Sequence, residues 1–277
     1  MKQFTIRTTV LAILGLCLLV PGWSQGKGEQ GEGGGAKGQA QPGTPAVPTA
    51  GKEEVAAYNK FVLLQKTADA RQKITAGEAF LAAYPNSIYA GAVYGTLAPA
   101  YLGVNDVPKL IDAGTKALAA DPNNVDVLPL MAWAIPRAVT ASTPNAVQQL
   151  DMAVNYGKRA INLLSTMPKP AEIDDAMFAK VKNDKLAQCR SGMGTAYFKT
   201  GKYDDAVTEL AQAVRLDSTP DPVDYYVLGV ANQRTSHFTD AIAAFDKCAA
   251  SPGQLQPTCK SLSAETKKTA ANSLEQH

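Results

Sequence analysis

The 277-residue chain carries 27 basic and 25 acidic residues, 45% hydrophobic side chains and only two histidines. A formal net charge of +2 gives no electrostatic reason to expect nucleic acid or an anionic membrane as a partner. His237 and His277 stand apart from any cysteine or acid at metal-ligand spacing, and the chain holds no nucleophile elbow, phosphate loop or dinucleotide fingerprint, which argues against an enzyme, a metal centre and a bound cofactor.

At the N-terminus, Lys2 and Arg7 precede an apolar run from Val10 to Val20, and Pro21-Gly22-Trp23-Ser24 follows it. This is the layout of a signal peptide over residues 1–24, and the run is too short for the roughly 20 apolar residues of a membrane span. Leu16 stands where a lipid-modified Cys17 would want a small residue, so a lipid anchor is not expected. Removing residues 1–24 takes away Lys2 and Arg7 and no acid, leaving 25 basic against 25 acidic residues. Residues 25–52 are dominated by Gly, Pro, Gln and Ala, a composition that cannot bury enough surface to offset its ordering entropy and that predicts a disordered linker.

Residues 53–262 read as five helix pairs. The first runs from Glu53 to about Thr67 and continues over Ala70 to Ala90. The second places Tyr94, Leu97, Ala98 and Tyr101 on one helix and Leu110, Ala113 and Ala117 on the next, with a turn at Gly103, a start at Asp106-Pro108 and a stop at Asp121-Pro122. The third spans Val125–Val139 and Ala146–Leu164, with Ala153, Gly157 and Ala160 as small positions. Pro99, Pro129 and Pro136 lie inside first helices, where each is expected to remove a backbone hydrogen bond. The fourth begins with a long helix from about Ala171, carries Met193, Gly194 and Tyr197, turns at Gly201 and continues through Tyr203, Ala206, Leu210 and Ala213. An offset of 35 residues maps this pair onto a fifth, with Tyr225, Leu228 and Gly229, a turn at Thr235-Ser236-His237, and then Phe238, Ala241, Phe245 and Cys248. Val223 to Gln233 has strand propensity, but the repeat phase makes it a helix. A capping helix follows from about Ser263, with residues 263–277 as cap and tail.

Small residues at Gly194, Ala206 and Ala213 let two antiparallel backbones approach while Met193, Tyr197, Tyr203 and Leu210 fill the gaps beside them. Neither helix can bury its apolar stripe alone, so each pair must stack on another along an axis. This spacing, with the Asp121-Pro122-Asn123-Asn124 exit, resembles the tetratricopeptide repeat. The Phe80-Leu81-Ala82-Ala83-Tyr84-Pro85-Asn86-Ser87 run resembles repeats of bacterial envelope assembly proteins. The resemblance implies an all-α superhelix whose packing positions are Tyr94, Leu97, Ala98, Tyr101, Ala117, Pro122, Gly194, Tyr197, Tyr203, Ala206, Ala213, Leu228, Gly229, Phe238, Ala241 and Phe245. At the phase of Tyr101 and Tyr197, the fifth pair has Asn232 instead.

The same resemblance implies a concave face lined by first helices that binds a protein or peptide. Carried over by position, its residues are Gln188, Ser191, Thr195, Phe198 and Lys199 in one pair and Val223, Tyr226, Val230, Gln233 and Arg234 in the next. The carboxylate-clamp positions hold Gly95, Pro99, Ser191 and Thr195, so the terminal-carboxylate clamp of chaperone-type members is absent. Alternatives are a small-ligand or glycan site around Trp133, or a structural oligomerisation module. In an oxidising compartment, a Cys248–Cys259 disulfide would pin the capping helix over the end of the stack, with Cys189 a small buried hydrophobe. The expected protein is a non-enzymatic scaffold of the periplasm or cell envelope.

Overall fold

The computed structural model describes residues 50–274; the signal peptide, nearly all of the linker and residues 275–277 lie outside the described residues. Eleven helices and no strand occur among them: α1 (Lys52–Gln65), α2 (Ala70–Ala83), α3 (Ala90–Gly103), α4 (Val107–Ala120), α5 (Val127–Ala138), α6 (Ala146–Thr166), α7 (Asp175–Lys199), α8 (Tyr203–Leu216), α9 (Pro222–Arg234), α10 (Phe238–Ala250) and α11 (Gln256–Leu274). They form five antiparallel pairs and a terminal helix. No helix among the described residues is long and apolar enough to cross a membrane.

Helix starts follow from side chains that satisfy the free N–H groups of the first turn. Asp69 and Gln72 form a reciprocal capping box on α2, and Asp106, Asp174 and Asp221 accept from Lys109, Met177 and Val223 at the heads of α4, α7 and α9. Three turns within pairs share one geometry. Asn105, Gly201 and Ser236 take left-handed φ values of 58°, 76° and 62°. The N–H groups of Asp106, Lys202 and His237 then donate back to the carbonyls of Tyr101, Tyr197 and Asn232 at 2.9, 2.9 and 2.8 Å. The sequence places the second pair's turn at Gly103; that residue instead ends α3, and Asn105 supplies the left-handed position, which asparagine tolerates through its short polar side chain.

Within and between pairs, glycine allows close approach. A Cβ on Gly194 would stand 2.5 Å from Leu210 Cγ, one on Gly229 2.5 Å from Phe245 Cε1, and one on Gly157 2.6 Å from Met193 Cγ. Ala206, Leu210, Ala213, Ala241 and Phe245 are buried at 2% exposure or less. One buried cluster runs from Phe61 to Ala196 and a second from Ala206 to Ala244, with Tyr197 packed against both. Helix α5 is apolar on all sides: Val127, Leu128, Leu130, Met131, Ala132, Ala134 and Ile135 are all buried.

Pro129, the third residue of α5, cannot donate to the Val125 carbonyl, although Leu128 beside it donates to Asn124 at 3.0 Å, and Lys185 takes that carbonyl instead; Pro136, near the other end, leaves the Ala132 carbonyl without its i+4 donor. Two helix-end expectations need correction. The long helix begins at Asp175 rather than near Ala171. The last helix begins at Gln256, seven residues before Ser263, and carries Cys259, bonded to Cys248 on α10, in its first turn.

Candidate interaction face

Each second helix packs on the first helix of the following pair, and first helices also touch one another in the order α3, α5, α7, α9. Successive second helices make no comparable contact, so the layer of first helices forms the inner, concave side. The tightest crossing on that side is α5 on α7. A Cβ on Gly192 would meet the Ala132 carbonyl oxygen and lie 2.8 Å from Trp133 Cα, which is backbone against backbone. Pro136 has no N–H, so it leaves the Ala132 carbonyl without its usual i+4 donor. Gly192 can offer a Cα–H to that oxygen because no side chain intervenes.

Two lysines of α7 tie down both ends of α5. Lys185, 9% exposed, bonds the Asp126 carboxylate and the Val125 carbonyl at 3.2 Å. Lys199 donates to the carbonyls of Pro136 and Val139, 2.6 Å each, satisfying the C-terminal end of the helix. Burial, and then the nearby Arg137 charge, lower the Lys199 pKa.

Where α5, α7 and α9 converge, a polar cluster joins all three. Arg137 lies over the Trp133 ring with its guanidinium carbon 4.3 Å from the centroid. It donates to Ser191 Oγ and Asp224 Oδ1 at 3.0 Å each, and the Ser191 hydroxyl donates to the same carboxylate oxygen at 2.7 Å. Asp221, at 3.8 Å from Arg137, stands at the more open edge. Desolvation raises the Asp224 pKa against the opposing pull of Arg137 and Ser191. No periodicity or motif in the sequence marks Arg137 or Asp224. They lie 87 residues apart and only the stacking of three pairs brings them together, although a lone arginine in an apolar helix and an acid beside the Asp221-Pro222 cap were visible as anomalies.

The positions carried over from the repeat phase fall into distinct surroundings. Ser191 and Thr195 are buried at 3% and 5%, the first in the polar cluster and the second donating to the Ser191 carbonyl at 2.9 Å. Lys199 straps α5, and Gln233 donates to the Thr266 hydroxyl of α11 at 2.5 Å. Arg234 sits toward the turns, 6.0 Å from the Tyr203 ring, beside a cavity of about 590 Å³ bordered by Gly201, Lys202 and Asp204. Gln188, Phe198, Val223, Tyr226 and Val230 are half-buried, as is Trp133. Phe198 packs edge-on to Tyr203 with centroids 5.7 Å apart.

Cys248 and Cys259 are bonded, and Cys189 is a free, buried thiol whose pKa burial pushes up to about 12. No group of three His, Cys, Asp or Glu residues suited to a metal ion occurs among the described residues.

No protein-family model matches the chain, and no curated protein does. Among solved structures it is similar to YrrB, a TPR protein with an unusual peptide-binding site, at 20% identity and a TM-score of 0.51, covering 78% of this chain and 94% of that one. It is also similar to PilW, a widely conserved type IV pilus biogenesis factor, at 16% identity and TM-score 0.49 over 80% of this chain and 88% of that chain. A thermophilic TPR protein of Thermus thermophilus matches at 18% identity and TM-score 0.44 over 77% of this chain and 98% of its own. With five stacked helix pairs, glycine-mediated close packing and the likeness to YrrB, the chain has the tetratricopeptide-repeat fold.

Proposed function

We propose that this chain is a non-enzymatic scaffold, exported to the periplasm or cell envelope, that holds a protein or peptide segment against its concave face. The supporting observation is the convergence of α5, α7 and α9. There the Arg137–Ser191–Asp224 cluster fixes three first helices in register with Trp133 stacked on Arg137, while Phe198 of α7 and Tyr226 and Val230 of α9 are left half-buried. A rigid polar floor edged by partly exposed aromatic side chains suits an extended or helical segment, because aromatic anchors supply contact area at low entropic cost. Ser191 and Thr195 shape the floor rather than touch the ligand. The layout of residues 1–24 and the Cys248–Cys259 bond support export to an oxidising compartment.

The test is a photoreactive amino acid placed at Tyr226 in cells, with crosslinked products identified by mass spectrometry after fractionation. The expected result is one reproducible protein partner in the envelope fraction, lost when Val230 is replaced by Asp. Recovery of no specific protein, or a chain confined to the cytoplasm, overturns the reading.

A further inference from the structure

The helix that closes the C-terminal end of the stack has an unusual inner face. Among the described side chains of α11, the buried residues are Cys259, Ser263 and Thr266, at 0%, 3% and 0% exposure, and Leu262 is only half-buried. A helix that docks by hydrophobic burial presents Leu, Ile or Phe at these spacings, as α10 does with Phe245 toward α9. Here the junction is polar. Ser263 donates to Asp246 Oδ1 at 2.5 Å, Gln233 to Thr266 at 2.5 Å, and Gln256 to the Ala249 carbonyl at 3.0 Å. The Lys267–Asp246 pair, at 3.3 Å, is more than half exposed on both sides and therefore weak. The neutral contacts each replace a bond to water and contribute less than a buried leucine or phenylalanine would, and Ser263 meets a carboxylate that is more than half exposed. To these the bond between Cys248 and Cys259 adds a covalent tie.

We propose that α11 is an oxidation-latched cap: it docks on α10 and covers Gln233 only once Cys248 and Cys259 are joined, and it is undocked in the reduced chain. In the latching step, one cysteine thiolate attacks a disulfide oxidant and forms a mixed disulfide. The second thiolate then displaces the oxidant, which leaves carrying two electrons as a dithiol, and the two cysteines give up their protons. Both cysteines are fully buried in the closed state, so thiols in solution do not reach the bond and the latch closes one way. This inference is independent of what the concave face binds.

Hydrogen exchange on the full chain tests it. In a C248A/C259A variant, amides of residues 256–274 should exchange on the order of a hundredfold faster than in the oxidised protein, the factor expected from releasing a loop of this size, while α3 to α9 stay protected. Unchanged protection in α11 overturns the proposal. So does an equal loss in α9, because the bond would then hold the last pair and not the cap. An S263A/T266V variant with the bond intact provides the second arm. It should lose less than tenfold protection in α11, and a loss as large as that of the cysteine variant would show that the polar contacts, not the bond, hold the helix.

Discussion

The crossing of α5 on α7 and the pairing of α9 with α10 each depend on a glycine, yet the two contacts are built of different material. At Gly192 the neighbour is the Ala132–Trp133 backbone, which cannot move without moving α5; at Gly229 it is the Phe245 ring, which can tilt. The first contact also carries the strapping lysines and the Arg137–Ser191 bond, whereas the second is a plain apolar seam. Pairs three and four are thereby fixed as a frame, to which the Arg137–Asp224 pair ties α9, while α10 packs onto α9 with more tolerance.

Five substitutions probe this contrast. Replacing Arg137 with Met leaves Asp224 buried without its cation, and should cost about 3–5 kcal/mol at neutral pH by urea denaturation. The deficit should be pH-dependent. Burial already raises the Asp224 pKa in the folded state, so the folded chain takes up its proton more readily than the unfolded one. Its contribution is complete below the ordinary aspartate range and is lost as pH rises through the raised folded value, so the variant should recover toward acid pH. Next in size, Gly192→Ala should cost about 3 kcal/mol and loosen α5 and α7 together, since the added methyl meets backbone. Gly229→Ala should cost about 2 kcal/mol, with hydrogen exchange rising in α9 and α10 alone; an effect equal to that at Gly192 would erase the distinction. Smallest, Ser236→Gly relieves a side chain held at φ 62° and should stabilise by about 0.5–1 kcal/mol, whereas Gly201→Ala at φ 76° should do the reverse.

The stack itself was legible because its signal is local. Small and large residues recur within each helix at the phase that pairing requires, and the offset of 35 residues between the fourth and fifth pairs carries straight through to Gly194 on Leu210 and Gly229 on Phe245. What escaped the sequence arises between pairs. Phase places Ser191 and Thr195 on the inner side, but Gly192 draws α7 so close to α5 that both residues are sealed from solvent. Arg137 and Asp224 meet only because three pairs stack, and no periodicity within one helix registers that. The early start of α11 escaped because its inner face is Cys, Ser and Thr, which carry no hydrophobic rhythm to read. At the position of Tyr101 and Tyr197, the departure to Asn232 also has a visible result: its amide donates to the Leu228 carbonyl at 3.0 Å, while its buried Oδ1 is left without a partner.

Pro136 and Gly192 meet at one carbonyl, that of Ala132, although 56 positions separate them in the chain. Pro136 turns the Ala132 carbonyl loose, and the missing side chain at Gly192 gives that oxygen somewhere to point. Giving residue 136 an N–H would offer the oxygen a donor in its own helix, whereas giving residue 192 a methyl would drive it into the Ala132–Trp133 backbone. Residue 192 is therefore held to glycine by the α5 backbone itself, and a lineage that gave it a side chain before the two helices had moved apart would pass through a poorer protein on the way.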